Sequence, residues 1–154
     1  MIPKTKAGLS RAARILLGPL ALLFAACATT AVAPEAGIDR VLQQQVAAWN
    51  RGDLEGYMAG YWNSPELTFF GGTAVTRGFQ TTLARYRQRY QGEGKQMGTL
   101  SFAEVRIEAL GPGAALARGQ WQLLMADGTQ RRGLFSVVFR RLPEGWRIVH
   151  DHSS

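Results

Sequence analysis

The sequence predicts an α+β domain in which three helices, interleaved with a short strand, are followed by four antiparallel strands joined by hairpins. As far as about residue 90, apolar residues recur at three- and four-residue steps, which is the spacing of amphipathic helices. After the loop QGEGKQMG at residues 91–98 the period shortens to two, which is typical of strands with one apolar face. Helices and strands grouped in this order favour an α+β architecture.

Residues 1–26 have the form of an export signal. The apolar run ILLGPLALLFAA at residues 15–26 is too short to cross a bilayer as a mature helix. The basic residues that precede this run are Lys4, Lys6, Arg11 and Arg14. Without them the chain keeps 14 basic and 11 acidic residues, so the formal charge falls from +7 to +3. Nucleic acid is therefore not an expected partner.

Cys27 is the single cysteine of the chain and directly follows the apolar run. The sequence FAAC at residues 24–27 resembles the lipobox of bacterial lipoproteins, although Phe24 stands where that motif usually has leucine. The resemblance implies cleavage before Cys27, lipid attachment to this residue, and a membrane anchor in the cell envelope. Ordinary cleavage after residue 28 is the alternative and would give a soluble periplasmic or secreted protein. The predicted organisation is a signal peptide at 1–26, the lipidated cysteine with a tether at 27–36, and one domain at 37–154.

Two amphipathic helices are predicted before residue 65. The first starts near Glu35 and ends at Gly52. Asp53 is well placed to cap the second helix, and Pro65 is well placed to close it. Each helix has one apolar face at three- and four-residue spacing. These faces are Ile38, Val41, Leu42, Val46 and Trp49 in the first helix, and Leu54, Tyr57, Met58 and Tyr61 in the second.

A short strand and a third helix follow. The stretch ELTFFGG at residues 66–72 predicts a strand that ends in a glycine turn. The third helix is expected to start at Thr76 or Arg77. Its apolar face is Phe79, Leu83, Tyr86 and Tyr90, and the arginines that fall largely on the opposite, solvated face are Arg85, Arg87 and Arg89.

Four longer strands complete the predicted domain. Turns are expected at residues 111–113, 127–128 and 143–145. The third of these strands, GLFSVVF at residues 133–139, is apolar on both faces and therefore needs cover on both. The predicted apolar faces of the first two are Ala103, Val105, Ile107 and Ala109, and Ala115, Ala117, Gly119, Trp121 and Leu123.

Four stretches of the chain together resemble SnoaL-like domains of the nuclear transport factor 2-like superfamily. They are AAWNRGDLEGY at residues 47–57, TRGFQTTLARY at 76–86, the hairpin DG…RRGLFSVVFRR at 127–141, and GWRIVHDHSS at 145–154. Relatives include ketosteroid isomerases, polyketide cyclases and the association domain of calmodulin-dependent kinase. The resemblance implies a cone-shaped cystatin-like fold, in which a curved sheet wraps the helices around a pocket, and frequent dimerisation through the sheet. It implies no activity, because this fold carries catalysts, binding modules and assembly domains.

The two histidines of the chain, His150 and His152, fall in the last predicted strand. Residues two apart share one face of a strand, so His150 is expected to continue the apolar row of Trp146 and Ile148, with Asp151 facing away. Both histidines are therefore candidates for the wall of the pocket. A metal site needs three or four protein ligands, and the sequence around the histidines supplies too few, so neither a metal nor another cofactor is predicted.

Acid–base chemistry of the kind that the isomerase and cyclase relatives perform would use His150, with Tyr57 and Tyr61 as proton donors. A carboxylate base is not evident, because neither Glu66 nor Asp151 falls in a clearly apolar row. The further candidates for ligand binding are Trp49, Trp121, Phe135 and, if its row faces the pocket rather than solvent, Arg118.

The leading hypothesis is that the pocket binds a small, partly apolar molecule without converting it. One alternative is an acid–base enzyme that uses the same pocket, such as an isomerase, cyclase or hydrolase. Another is a dimerising assembly module without catalysis. The sequence has no phosphate loop, Ser-His-Asp pattern, nucleophilic thiol or dinucleotide fingerprint that would decide among them. A homodimer is expected in each case.

Overall fold

The computed structural model describes residues 34–154, which form three helices and one six-stranded sheet. The helices are α1 (Pro34–Asn50), α2 (Leu54–Met58) and α3 (Phe79–Tyr90). The strands are β1 (Thr68–Gly71), β2 (Ala74–Arg77), β3 (Thr99–Gly111), β4 (Ala114–Leu124), β5 (Gln130–Leu142) and β6 (Gly145–Ser153). Their order in the sheet is β2-β1-β6-β5-β4-β3, and all neighbours are antiparallel except β1 and β6. The predicted α+β class is confirmed.

The predicted signal peptide and the lipobox cysteine, Cys27, lie outside the described residues. Helix α1 begins at Pro34, inside the stretch 27–36 that was expected to be a tether. Within residues 34–154 no helix is both long enough and apolar enough to cross a membrane.

A hydrophobic core lies between the helices and one face of the sheet, which we call the inner face. Ile38 and Leu42 of α1 pack there with Phe139 of β5, and each is at most 5% exposed. Burying a side chain of this size stabilises a fold by about 1.5–3 kcal/mol. Gly37 lets α1 approach the sheet, because a Cβ at this position would stand 2.6 Å from the buried ring of Trp146.

Helix α2 is shorter than its apolar pattern predicts. Asp53 caps it as expected, with its Oδ1 accepting the N–H of Gly56 at 2.7 Å. The helix ends at Met58, well before Pro65. Tyr61 instead forms an isolated parallel bridge with Ile148 of β6, and its side chain is only 3% exposed. The last residue of the predicted helix face is therefore buried through pairing with the sheet.

A strand, β2, occupies Ala74–Arg77, where the pattern predicts the start of the third helix. It pairs with β1 through a tight turn at Gly72, whose φ of +60° favours glycine. Gly78, with a φ of +86°, separates this strand from α3. The predicted start at Thr76 or Arg77 is wrong because the positive φ at Gly78 delays the helix until the next residue.

A bulge in β3 changes which side chains face the core. The pairing with β4 slips after Ala103, and Glu104 has a φ of +53°, the one positive φ of a non-glycine residue within 34–154. Phe102 packs on the core before the bulge and Ile107 after it, whereas Val105 is 37% exposed. The predicted apolar face of this strand is therefore wrong for Ala103 and Val105, which precede Ile107.

Candidate functional site

A cavity of about 320 Å³ opens between the helices and the inner face of the sheet. This volume lies at the lower end of the range for small-molecule sites, roughly 300–1,000 Å³. Its wall is mostly aromatic and aliphatic, so we call it the aromatic cavity. Residues that give it this character are Trp49, Tyr57, Phe69, Tyr86, Phe135 and Ile148.

A bulge in β6 decides which polar side chain enters the aromatic cavity. In β5, the consecutive residues Val138 and Phe139 pair with His150 and Ile148 of β6, respectively. Val149 lies between these two partners and is therefore an extra residue in β6. The alternation of faces resumes one residue later than a regular strand would place it. Asp151 consequently shares the inner face with Ile148, is 4% exposed, and lines the cavity.

His150 lies on the opposite, outer face of the sheet, so its predicted place in the pocket wall and its predicted role in proton transfer are wrong. Its Nδ1 is 2.6 Å from Thr68 Oγ1, and its ring packs edge-on against Phe70. Partial burial, together with the neighbouring His152, lowers the pKa of His150. His152 is exposed beside Phe70, so the prediction that it lines the pocket is also wrong. The cause is Val149, because regular alternation would have turned His150 inward.

Asp151 is the centre of a hydrogen-bonded group in the cavity wall. Tyr61 Oη donates to Asp151 Oδ2 at 2.7 Å, and Ser153 Oγ donates to Oδ1 at 2.6 Å. The hydroxyl of Tyr57 lies 3.3 Å from that of Tyr61. Two tyrosines from the α2 region and two residues of β6 thus form one polar group in an otherwise largely apolar site.

Burial sets the protonation of this group. It raises the pKa of Asp151 to about 6, although the hydrogen bonds from Ser153 and Tyr61 act in the opposite direction. Burial and the nearby Asp151 charge raise the pKa of Tyr57, and likewise raise that of Tyr61 well above its ordinary value. The tyrosines therefore stay protonated near neutral pH, whereas Asp151 can gain or lose a proton there, as a general acid or base must.

Five of the predicted site residues do line the aromatic cavity: Trp49, Tyr57, Tyr61, Trp121 and Phe135. The indole N–H of Trp49 donates to the carbonyls of Met97 and Gly98, at 3.2 and 3.1 Å. The indole N–H of Trp121 donates to the carbonyl of Ser154 at 3.2 Å. These bonds hold the two rings at the cavity wall and leave neither indole N–H free to bind a ligand.

Arg118 is not part of the aromatic cavity. Its neighbour Ala117 is fully buried on the inner face, so the Arg118 side chain lies on the outer face of β4. There it pairs with Glu108 at 2.8 Å and borders a shallow surface depression. The prediction that Arg118 lines the pocket is wrong because the row that it shares with Gln120 faces outward.

Two arginines that the helix pattern assigned to solvent do line the cavity. Arg85 and Arg89 are one helical turn apart on α3, and both belong to the wall. Arg87, between them, is exposed and forms an ion pair with Glu55. The overlooked signal is their spacing, because residues four apart share one face of a helix and each adjoins a tyrosine of the predicted apolar face.

No three His, Cys, Asp or Glu side chains within residues 34–154 are grouped closely enough to hold a metal ion. Asp151 is bonded to Tyr61 and Ser153 rather than to another carboxylate or a histidine.

Comparison with known proteins relates the fold to one family. The sequence model of the SnoaL-like domain family matches residues 38–154. A solved nuclear transport factor 2-like protein of unknown function from Shewanella oneidensis is 34% identical, with a TM-score of 0.72 over 79% of this chain and 98% of that one. No curated protein matches this chain.

Two further solved structures are more distant and show the fold alone. A nuclear transport factor 2-like superfamily protein from Salmonella enterica is 24% identical, with a TM-score of 0.65 over 79% of this chain and 89% of that one. A domain of unknown function with a cystatin-like fold from Nostoc punctiforme is also 24% identical, with a TM-score of 0.66 over 81% of this chain and 78% of that one.

Proposed function

Because the chain belongs to the SnoaL-like domain family, whose fold alone assigns no chemistry, we propose from the site itself that it binds a small, partly apolar molecule in the aromatic cavity. One observation carries this proposal: a largely apolar cavity contains a single buried carboxyl group, Asp151, beside two tyrosine hydroxyls. A concave apolar wall with few convergent polar groups is the usual form of a small-molecule site.

The polar group constrains the ligand. Tyr61 and Ser153 already donate to Asp151, and above its pKa of about 6 the carboxylate has further lone pairs that can accept a hydrogen bond. A ligand hydroxyl reaching Asp151 would satisfy one of them. The remainder of the ligand would be rings or a branched hydrocarbon, because the surrounding wall offers mainly aromatic and aliphatic contacts.

Filling the cavity tests this proposal. Val137 of β5 lines the aromatic cavity, whereas its neighbour Val138 lies on the outer face, so Val137→Phe and Val138→Phe add the same volume on opposite sides of the sheet. With 2-naphthol as the probe, calorimetry should show saturable binding to the wild type and to Val138→Phe, and at least about tenfold weaker binding to Val137→Phe. Equal affinity of all three proteins would place the probe elsewhere and refute the proposal.

The second candidate function is acid–base catalysis, with Asp151 in the role that His150 cannot fill. The observation that favours it is a buried carboxyl whose pKa of about 6 lies near neutral pH, since a general base works best there. An ionised Asp151 could remove a proton from a carbon next to a carbonyl group, while a tyrosine hydroxyl stabilises the oxygen that gains charge.

Deuterium exchange tests the catalytic candidate without knowledge of the natural substrate. The bicyclic ketone 2-tetralone has exchangeable protons next to its carbonyl, and NMR follows their replacement in D₂O. Catalysis by the carboxylate predicts that the wild type accelerates exchange above the buffer rate and that Asp151→Asn does not. Equal exchange with both proteins would exclude this role for Asp151, and Arg87→Gln, which lies outside the cavity, serves as the control.

We also propose, from the FAAC sequence at residues 24–27, that the mature protein is anchored in the cell envelope through lipid on Cys27. The homodimer expected from the resemblance stays a prediction.

A further inference from the structure

The aromatic cavity has a closed end and an open end that differ in charge. Lining residues that are buried, such as Tyr61 and Ile148, mark the closed end. Lining residues that are exposed, such as Gly72 and Arg89, mark the open end, and the half-buried Arg85 lies on the same helix face as Arg89. A ligand lying along the cavity therefore meets a carboxyl group deep inside and guanidinium groups where it leaves.

The Arg85 side chain is held in position by the neighbouring hairpin. Its Nη1 donates to the hydroxyl of buried Thr76 at 2.8 Å, and its guanidinium carbon lies 5.7 Å from the centre of the Phe69 ring. Its Nη2 lies so close to β1 that a Cβ on Gly71 would stand 3.3 Å away. A guanidinium oriented in advance loses less freedom when it binds an anion.

Neither arginine at the open end has an acidic partner among residues 34–154. The ion pairs of this part of the chain are Arg51–Asp53, Arg87–Glu55 and Arg118–Glu108. Asp151, the acidic residue of the cavity wall, is bonded to Tyr61 and Ser153 instead. Arg85 and Arg89 therefore both face a largely apolar cavity without an acidic partner, and an anionic group of a ligand could pair with them.

We propose that the ligand is an apolar ring compound with a carboxylate, which Arg85 binds at the open end while Arg89 adds a second positive charge. This inference rests on the proposed function, since it assumes that the ligand occupies the aromatic cavity. The planar guanidinium presents two parallel N–H groups to a carboxylate, which explains why an arginine suits this position better than a lysine.

Calorimetry with two matched probes tests the inference. 2-Naphthoate and 2-naphthamide have the same rings and nearly the same shape, but only the first carries a charge. The wild type should bind 2-naphthoate about tenfold more tightly than 2-naphthamide, and Arg85→Gln should lose this preference. Arg87→Gln, on the same helix but paired with Glu55 outside the cavity, should keep it. Affinity for 2-naphthamide should stay within about threefold in all three proteins.

The possible outcomes separate the inference from the proposed function. Equal affinity of the wild type for both probes, or the same loss of preference in Arg87→Gln as in Arg85→Gln, would overturn the carboxylate site and leave binding in the cavity standing. Failure of 2-naphthoate to bind where 2-naphthol does would also overturn the carboxylate site, whereas failure of all three probes would overturn the proposed function as well. If Arg85→Gln does not fold, Arg89→Gln replaces it, because Arg89 is exposed, and a reduced preference for 2-naphthoate is expected there too.

Discussion

At the scale of single residues, Asp151 combines a cost in stability with the chemistry of the site. A carboxylate moved out of water loses hydration, and the bonds from Tyr61 and Ser153 recover only part of it. The pKa of Asp151 is about 6 in the folded protein against an ordinary value of 3.8. Between these two values the folded state binds more protons than the unfolded state, so the free energy of unfolding falls as the pH rises.

Asp151→Asn removes this dependence. The amide is uncharged at every pH, its oxygen can accept from Tyr61, and its N–H can donate to the Ser153 hydroxyl. The wild type loses stability as the pH rises and the variant does not. The free energy of unfolding of the variant, compared with that of the wild type, should therefore rise by up to about 3 kcal/mol from pH 4 to pH 8. Urea unfolding at the two pH values measures the gain. A difference that does not change with pH would show that Asp151 titrates normally in the folded state.

At the scale of elements, periodicity predicted the helices and the four long strands, but it could not predict the bulges at Glu104 and Val149. An inserted residue leaves the alternation intact on each side and shifts only its phase. Regular alternation would separate Ile148 from Asp151, which share a face because Val149 is extra. The site prediction failed at His150 for this reason. The aromatic wall was predictable because Trp49 and Tyr57 face inward by helical spacing alone.

The bulge in β3 makes a prediction of its own. Glu104 adopts a φ of +53°, a conformation that costs most residues about 1–2 kcal/mol and costs glycine little. Glu104→Gly should therefore be about 1 kcal/mol more stable than Glu104→Ala, as measured by urea unfolding. Both variants lose the bond to Gln120, so that loss cancels.

The matched control lies in the same strand. Glu108 also bonds across to β4, through Arg118, but without a positive φ. At this position the order of stability should reverse, so that Glu108→Gly is about 0.5–1 kcal/mol less stable than Glu108→Ala. The same order at both positions would contradict the left-handed bulge.

At the scale of the whole molecule, a resemblance that spans the domain predicted the fold, because helix order and hairpin spacing are properties of the entire chain. It did not predict what the cavity contains, since that depends on a few residues and on the phase of one strand. The site therefore had to be built from the structure: apolar rings in the middle, Asp151 inside, and Arg85 at the opening.

Lipid anchoring is tested on the whole protein in a bacterial host. Cys27→Ala removes the sulfur that lipid attachment requires and keeps the apolar run before it. In cells fed labelled palmitate, the wild type should take up the label and remain with the membranes, whereas the variant should not take up the label. Equal labelling of the two proteins would rule out lipid attachment at this residue.

The central claim, that the aromatic cavity holds the ligand, is tested most directly by NMR of the four tryptophan indole N–H signals during titration with 2-naphthol. Trp49 and Trp121 line the cavity, whereas Trp62 and Trp146 do not. Binding in the cavity predicts saturable shifts of the first two signals and little change in the others. Shifts confined to Trp62 and Trp146, or no shift in any signal, would contradict the claim.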